Sequence, residues 1–281
     1  MHGAGNDFIL VETSEMKRDW SQLAVAMCDR HYGIGADGLL LLLPSSVADF
    51  QMRVFNADGS EADACGNGLR CMVKHFVDGG LGNPKAREVS VETVTGVRRA
   101  KIHKVAGRLT KVQVGMGNPK FGENDIPVVI GQGSGDTVGT KSMIAYPLTV
   151  DGKELRLNLL SVGNPHAVYF YQHPVSSFPL ARLGPKVEQH RIFPKGVNFE
   201  VARVLNRREI EARVWERGVG ETLACGSGAC AITVAARLYG YVDSKVDIKL
   251  PGGTLKVEWD GVGEVLLSGP AETVFTGEWL E

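Results

Sequence analysis

The chain has 281 residues, of which 43% are hydrophobic and 22% charged, and its formal net charge is −1. This length suits one large domain or two of ordinary size. The near-zero charge argues against a nucleic-acid partner or an anionic membrane surface. The apolar run Leu39–Leu43 is far too short to cross a bilayer, and the first residues have no secretion signal. We therefore expect a soluble cytoplasmic protein.

The first half is predicted to alternate strands and helices. Met1–Thr13 resembles a strand that is interrupted at Gly3–Asp7, and Asp19 with Gln22 gives a weak capping-box signal for a helix that continues to about Arg30. The continuous apolar run at Gly38–Leu43 predicts a buried strand, and alternating apolar positions predict a strand at Phe50–Asn56. Three further strands are expected at Glu88–Gly96, Val97–Lys104 and Leu109–Gly115.

The second half is predicted to begin after a boundary within Val114–Phe121. A flexible loop is expected at Gly131–Lys141 and a helix at Leu180–Gln189. The segment Ile126–Ile130 is expected to open this half. The expected strands are Ile144–Val150, Leu155–Val162, Ala167–Tyr171, Val197–Leu205, Glu209–Glu216, Val246–Leu250, Thr254–Trp259 and Val265–Ser268.

Two predicted helices begin with the same unusual pattern. Cys65 precedes Gly66-Asn67-Gly68, and Cys225 precedes Gly226-Ser227-Gly228. The second helix is apolar on nearly every side, which predicts a buried helix. Such starts present free backbone N–H groups and the positive end of the helix dipole. We therefore expect both thiols to ionise more easily than a free thiol.

The two halves show weak internal similarity, which predicts a duplicated architecture. The fold class is α/β (α+β), with two pseudo-symmetric domains, each a mostly antiparallel sheet or barrel wrapped around a central helix. The first domain would span 1–118 with 270–281 and contain Cys65. The second would span 119–269 and contain Cys225. The two helix starts are expected to face each other across a ligand cleft.

Two opposed thiols predict inversion of a carbon centre. A substrate carboxylate would bind the N–H groups of both helix starts, one thiolate would remove the Cα proton, and the opposite thiol would donate one. One sulfur must be ionised while the other is protonated, so the pair titrates as a unit. The chemistry needs no metal or organic cofactor. The five cysteines form no Cys-x-x-Cys pair, so neither a zinc site nor a disulfide scaffold is expected.

Simpler interpretations compete at each position. Buried cysteines often act as small hydrophobes, which is the expectation for Cys28, Cys71 and Cys230. Asparagines favour turns and strand ends, His166 suits a structural role, and Glu216 with Arg217 could be a solvated pair. Two aspartates are expected to be turn residues, Asp37 and Asp58.

Taken together, the motifs resemble the diaminopimelate epimerase family over nearly the whole chain. They are MHGAGNDF (1–8), RHYGIGADG (30–38), FNADGSEADACGNGLRC (55–71), GNPHAV (163–168), GVNFE (196–200), WERGVGETLACGSGAC (215–230) and LPGG (250–253). The resemblance implies a homodimeric, cofactor-independent epimerase that interconverts L,L- and meso-diaminopimelate in lysine and peptidoglycan-precursor synthesis.

The resemblance also implies residue roles. Cys65 would be the proton donor and Cys225 the proton acceptor from the L,L isomer, with reversed roles in the other direction. The reacting carboxylate would be held at Gly66, Asn67, Gly226 and Ser227. The amino groups and the far carboxylate would be held by Asn6, Asn56, Asn164, Asn198, Glu216 and Arg217, with His166 in support.

The chain departs from the family at two places. It begins directly at the MHG motif, where family members commonly have a short preceding strand, and it has Gly38 where some members have a substrate-contacting glutamine. One alternative is a proline or hydroxyproline racemase of the same fold. Another is a non-catalytic redox sensor in which Cys65 and Cys225 form a disulfide. A pyridoxal-phosphate enzyme fits poorly, because no lysine stands in a recognisable cofactor setting.

Overall fold

The computed structural model describes residues 1–62, 65–83, 85–105, 108–122, 125–128 and 143–280. The chain divides into two compact units, unit 1 with Met1–Gly115 and Ser268–Glu281, and unit 2 with Met116–Leu267. The sequence predicts two domains, 1–118 with 270–281 and 119–269. This division of the chain into folding units stays a prediction.

Unit 1 is built on a sheet with the strand order β1-β2-β3-β4-β5-β6-β7. Within it, β2 pairs with β3 and β4 pairs with β5 in parallel, and the other neighbours are antiparallel. Its elements are β1 (His2–Gly3), β2 (Asn6–Glu12), α1 (Trp20–Cys28), β3 (Gly38–Leu43), β4 (Phe50–Asn56), α2 (Gly66–Asp78), β5 (Glu88–Thr93), β6 (Gly96–Val105) and β7 (Arg108–Gly115).

Unit 2 has the strand order β15-β14-β12-β11-β10-β9-β8, and β13 pairs with β12. Its elements are β8 (Tyr146–Val150), β9 (Lys153–Ser161), β10 (Pro165–Phe170), α3 (Leu180–Glu188), β11 (Asn198–Asn206), β12 (Glu209–Glu216), β13 (Gly220–Thr222), α4 (Gly226–Leu238), β14 (Lys245–Leu250) and β15 (Gly253–Glu258). A final strand, β16 (Leu266–Gly269), contains the point at which the chain returns to unit 1.

The two units repeat one sequence of strand pairings. In unit 1, β2 pairs in parallel with β3, which is antiparallel to β4; after α2, β5 is parallel to β4 and antiparallel to β6. In unit 2 the same relations join β10, β11 and β12 and then, after α4, β14 and β15. This repeat confirms the predicted pair of related α/β halves. Parallel pairs occur where a helix provides the crossover that such pairs require.

Each half surrounds one helix that begins at a cysteine. Helix α2 packs against β1, β2, β3, β4 and β7, and α4 packs against β9, β10, β11, β14 and β15. From Gly226 to Ala236, every residue of α4 except Ser227 is buried, which confirms the predicted buried helix. The one hydroxyl on its apolar surface, at Thr233, donates to the carbonyl of Ala229 at 3.0 Å, so no unpaired polar group is buried there.

The segment that was expected to open the second half has no strand in its described part, and one strand elsewhere was not predicted. Within Ile126–Ile130, the described residues form a turn, because the N–H groups of Asp125 and Ile126 both donate to the carbonyl of Gly122. Ile126 is nevertheless buried in the core of unit 2, so its apolar character predicted burial but not conformation. The loop predicted at Gly131–Lys141 lies outside the described residues. The short strand β13 has no counterpart in the prediction. Among the described residues, no helix has the length and apolarity needed to span a membrane.

Candidate active site

Cys65 caps the start of α2 in unit 1. Its backbone is extended (φ −139°, ψ 110°), and its Sγ accepts a hydrogen bond from the N–H of Gly68 at 3.3 Å. A side chain at Gly68 would meet Leu40 Cδ2 at 2.9 Å and Cys65 Sγ at 3.5 Å. Glycine at this position therefore lets β3 and the sulfur approach the first turn of the helix closely.

Two predicted binding residues lie beside this thiol. Asn6 Oδ1 is 4.0 Å from Cys65 Sγ, and Asn67 Nδ2 donates to the same Asn6 oxygen at 3.1 Å. The structure therefore brings Asn6, Cys65 and the start of α2 together. Asn56 lies exposed at the end of β4, where its Nδ2 donates to Ser60 Oγ at 2.9 Å.

The sequence did not reveal two residues that support this group. Arg70 is fully buried and donates to Asn67 Oδ1 at 2.9 Å, to the Gly66 carbonyl at 3.2 Å and to the Pro270 carbonyl at 3.4 Å. Asp37 accepts from Asn6 Nδ2 at 2.7 Å. The prediction of Asp37 as a turn residue was incomplete, because its carboxylate also connects the RHYGIGADG motif to the Cys65 group.

Cys225 occupies the equivalent position at the start of α4, and its thiol is buried. Its backbone is also extended (φ −123°, ψ 119°), and its Sγ lies 3.5 Å from Ser227 Oγ. Burial raises the pKa of the Cys225 thiol well above its ordinary value, and the Glu216 and Glu200 carboxylates raise it further. The prediction of an easily ionised thiol is therefore wrong for Cys225. The Ser227 hydroxyl and the helix-start N–H groups lower the pKa by less than desolvation and negative charge raise it.

Of the two carboxylates, Glu216 makes the larger contribution to this rise. Its Oε1 accepts a hydrogen bond from Thr222 Oγ1 at 2.6 Å. The side chain keeps some accessible surface, yet protein groups surround its carboxylate closely enough that burial raises the pKa of Glu216. Hydrogen bonds from Thr222 and Cys225 oppose that rise. The carboxylate and the thiol therefore form one electrostatic unit, in which the charge on each influences the other.

His166 lies in a buried polar row near Cys225. Its Nδ1 is 2.6 Å from Glu200 Oε1, and its Nε2 is 2.8 Å from Asn164 Oδ1. Both His166 and Glu200 are fully buried, and Glu200 Oε2 has no hydrogen-bond partner among the described residues. A side chain at Gly228 would meet Glu200 Oε1 at 3.0 Å, so this carboxylate lies against the first turn of α4. Glu200 was not among the predicted site residues, although it is the last residue of the GVNFE motif and a charged residue in the apolar strand β11.

Asn198 and Arg217 are joined through the backbone. Asn198 is buried, its Nδ2 donates to the Pro165 carbonyl at 2.9 Å, and its Oδ1 accepts from the N–H of Arg217 at 2.9 Å. The Arg217 guanidinium donates to the Lys195 carbonyl at 3.2 Å, and the side chain is exposed. Asn198 thus holds the start of β10 and the turn after β12 in a fixed relation.

The remaining thiols are buried, as the sequence predicted. Burial raises the pKa of Cys28 to about 11 and the pKa of Cys71 to about 12. None of the five cysteines, all of which the structure describes, forms a disulfide. Among the residues that the structure describes, no group of three or more His, Cys, Asp or Glu side chains is arranged to hold a metal ion.

Comparison with known sequences identifies close relatives. A family model described as diaminopimelate epimerase matches residues 1–122 and 158–274. A diaminopimelate epimerase from Pelotomaculum thermopropionicum is 45% identical over 281 residues, which cover 99% of this chain and 96% of that protein. One from Acetivibrio thermocellus is 44% identical over 280 residues, with the same coverage of 99% and 96%.

Solved structures share the architecture at low sequence identity. A probable proline racemase from Agrobacterium radiobacter K84 superposes with a TM-score of 0.68 at 16% identity, over 95% of this chain and 88% of that one. A hydroxyproline epimerase from Agrobacterium vitis has the same TM-score and identity, over 95% and 87%. A PhzF-family phenazine biosynthesis protein from Bacillus anthracis has a TM-score of 0.67 at 16% identity, over 96% and 91%. These three likenesses concern the fold alone.

Proposed function

The chain belongs to the diaminopimelate epimerase family and has that family's isomerase function, and we propose that it inverts one carbon of diaminopimelate with the thiols of Cys65 and Cys225. The observation that carries this proposal is that each unit has a thiol at the first turn of its central helix. The proposed reaction takes its acid and its base from these two side chains and uses no cofactor.

In the direction from the L,L to the meso isomer, Cys225 acts as a thiolate. It takes the Cα proton, so the C–H bond breaks, an S–H bond forms, and the electron pair remains on Cα and its carboxylate. Cys65 then gives its thiol proton to the opposite face of Cα, and the reverse reaction exchanges the roles. The mechanism requires both sulfurs to reach opposite faces of one carbon in the substrate complex.

The surroundings of Cys225 suit the base in this direction. The Cα proton of an amino acid is very weakly acidic, so a strongly basic thiolate is needed to remove it. Burial and the carboxylates of Glu216 and Glu200 raise the pKa of Cys225. The higher pKa makes the thiolate a stronger base and lowers the fraction of Cys225 that is ionised at a given pH. The substrate's ammonium group supplies positive charge beside Glu216, which favours the ionised pair once the substrate is bound.

The predicted binding residues receive complementary roles in this proposal. The backbone N–H groups at Gly66, Asn67, Gly226 and Ser227 hold the reacting carboxylate, because helix starts bind anions. The second amino-carboxylate end requires polar partners, and a polar site rejects substrates that lack them. We assign this end and the amino groups to Asn6, Asn56, Asn164, Asn198, Glu216 and Arg217.

These residues contribute to the proposed site in two ways, by contacting the substrate directly or by holding another residue in place. The Arg217 guanidinium is exposed and suits a carboxylate. Asn198 contributes by holding the backbone of Arg217, and His166 contributes by holding Asn164.

The function lies in diaminopimelate and lysine biosynthesis. On the basis of the family we also propose a homodimer and a cytoplasmic location, and that each of the predicted domains contributes one thiol. The molar mass in solution tests the dimer: a mass of one chain at assay concentrations would contradict it.

Turnover of L,L-diaminopimelate under reducing conditions tests the proposed function. We expect formation of the meso isomer and no racemisation of L-proline or trans-4-hydroxy-L-proline. Cys65→Ala and Cys225→Ala should each lower kcat by at least about a thousandfold, because each removes one of the two proton-transfer groups. Cys71→Ala, which truncates a buried thiol in the same helix as Cys65, is the matched control and should stay active.

Other outcomes would support the alternatives. Racemisation of proline without turnover of diaminopimelate would replace the substrate assignment. Full activity of either alanine variant would overturn the roles of the two thiols. A reduced protein that turns over neither substrate but changes conformation on oxidation would favour a redox-sensing protein.

A further inference from the structure

A chain of hydrogen bonds in unit 1 leads from the surface to the Cys65 thiol and includes residues to which the proposed reaction gives no role. Arg30 pairs with Asp37 Oδ1 at 2.8 Å, and Asp37 Oδ2 accepts from Asn6 Nδ2 at 2.7 Å. Asn6 Oδ1 accepts from Asn67 Nδ2 at 3.1 Å, and Asn67 Oδ1 accepts from Arg70 at 2.9 Å. Two members of this chain of hydrogen bonds, Asp37 and Arg70, lie on either side of the Asn6 and Asn67 amides. Both are charged, and the proposed reaction gives neither of them a role.

The two charged residues fix the direction of every amide between them. A guanidinium only donates, so Asn67 presents its oxygen to Arg70 and its Nδ2 to Asn6. Asn6 must then accept with its oxygen and donate with its Nδ2, and an ionised Asp37 carboxylate only accepts. The orientation of an amide is ambiguous in isolation, but here the constraints from both ends agree.

Asp37 is the place where donors converge. Its carboxylate accepts from the Arg30 guanidinium, from Asn6 Nδ2 and from the backbone N–H of Asp7 at 3.1 Å. Two oxygens without a proton can accept all three hydrogen bonds. A side-chain amide of the same size has only one oxygen and cannot.

The orientation of Asn6 matters because of its distance from Cys65. Asn6 Oδ1 lies 4.0 Å from Cys65 Sγ, within reach of a sulfur hydrogen bond. A carbonyl oxygen accepts from a thiol and favours the protonated form, whereas an amide N–H at the same place would favour the thiolate. The direction of this one amide therefore biases the protonation state of Cys65.

We propose that Asp37 is a positioning residue which, with Arg70 at the other end of the chain, keeps the Asn6 carbonyl oxygen directed at Cys65. The hydrogen-bonded thiol is then ready to donate its proton. The proposal rests on the proposed function only for the role of Cys65 as a proton donor. It gives the RHYGIGADG motif a task in the reaction, although none of its side chains is assigned to the substrate.

Asp37→Asn tests the proposal with little risk to the fold, because the Asp37 side chain is 43% exposed. If the new amide oxygen stays with Arg30, its Nδ2 faces Asn6 Nδ2, and two donors oppose each other. Asn6 then rotates or loses this contact, and its oxygen is no longer held toward Cys65. The thiolate should become easier to form.

The measurement is the rate at which iodoacetamide alkylates Cys65 in the reduced protein at neutral pH, read by mass spectrometry of the Cys65 peptide. Because the thiolate is the reactive form, we expect Asp37→Asn to raise this rate about threefold or more. The matched control is Asp78→Asn, which removes an exposed carboxylate paired with Lys74 in α2 and should leave the rate unchanged.

A double-mutant comparison separates amide orientation from simple loss of charge. If Asp37 acts through Asn6, Asp37→Asn should have no further effect on the Cys65 rate in an Asn6→Ala background. An equal rise in that background, or an unchanged rate in the single variant, would overturn the proposal. The assay needs no substrate, so a failure of epimerase activity would contradict the proposed function and leave this result interpretable.

Discussion

The two cysteine-led helix starts have the same backbone design and opposite electrostatic surroundings. Cys65 is half-buried, accepts a backbone N–H and lies beside neutral amides that end at the buried guanidinium of Arg70. Cys225 is buried and lies near the carboxylates of Glu216 and Glu200, which raise its pKa together with burial. The difference shows that a helix start does not by itself set the acidity of a thiol. The groups behind the first turn decide it.

This asymmetry fits a reaction that needs one acid and one base at a time. Two identical thiols would titrate together, and the state with one proton between them would have no preferred arrangement. Different surroundings instead distinguish the two sulfurs: burial and carboxylates raise the pKa of Cys225, and the positive charge of the substrate ammonium then favours its ionised form.

Among changes to the surroundings of the two thiols, the largest effect is expected from making those of Cys225 neutral. Glu216→Gln keeps the size of the side chain and removes the charge. Since the carboxylate raises the pKa of Cys225, its removal should lower that pKa and speed alkylation of Cys225 at a fixed pH. Turnover should nevertheless fall roughly 10–100-fold, because the substrate ammonium loses a charged partner. Steady-state kinetics and alkylation of Cys225 measure the two effects.

The control for this variant is Glu209→Gln, at the opposite end of β12. Glu209 is paired with Lys249 on the surface, so its substitution should leave both the kinetics and the alkylation of Cys225 unchanged. If Glu216→Gln slowed alkylation of Cys225, the assigned sign of the electrostatic coupling would be wrong.

A smaller effect is expected at a third thiol, Cys71, where the influence of burial on a thiol pKa can be separated from that of nearby carboxylates. Cys71 lies in the same helix as Cys65, away from its first turn, and burial raises its pKa from 9.0 to about 12. The folded state therefore keeps this proton at pH values where the unfolded state loses it. The contribution to stability is complete below about pH 9.0 and is lost as the pH rises toward 12.

Urea unfolding of the wild type and Cys71→Ala between pH 8 and pH 11 measures this contribution. Above pH 9 the free energy of unfolding of the wild type should fall more steeply, by up to about 1.4 kcal/mol per pH unit. If the free energy of unfolding changed with pH in the same way in both proteins, the Cys71 thiol would have the same pKa in the folded and unfolded states. That result would contradict a raised pKa in the folded state.

Local patterns made much of the fold predictable. The continuous apolar run at Gly38–Leu43 and the alternating pattern at Phe50–Asn56 predicted two strands with the bounds that the structure has, because strands buried on both faces are apolar throughout and strands with one buried face alternate. The Cys-Gly-x-Gly pattern gave both central helices. Ile126 is buried in the core of unit 2, but an apolar side chain indicates burial and does not distinguish a strand from a turn.

The supporting residues of the site could not be predicted because their partners are distant in sequence. Arg70 lies in α2, and its buried guanidinium donates to the carbonyl of Pro270, 200 positions away. Asp37 has the local sequence of a turn residue, and its link to Asn6 spans 31 positions. The pKa of Cys225 depends on carboxylates in β11 and β12, so the start of α4 alone gave the wrong sign.

The most direct test of the two-thiol account is turnover of L,L-diaminopimelate in heavy water, followed from the first product formed. The account predicts that the meso product carries deuterium at the inverted carbon, because the donating thiol exchanges with solvent, while recovered L,L substrate stays unlabelled at early times. Early product that retains the original hydrogen at that carbon would contradict proton delivery by a second sulfur.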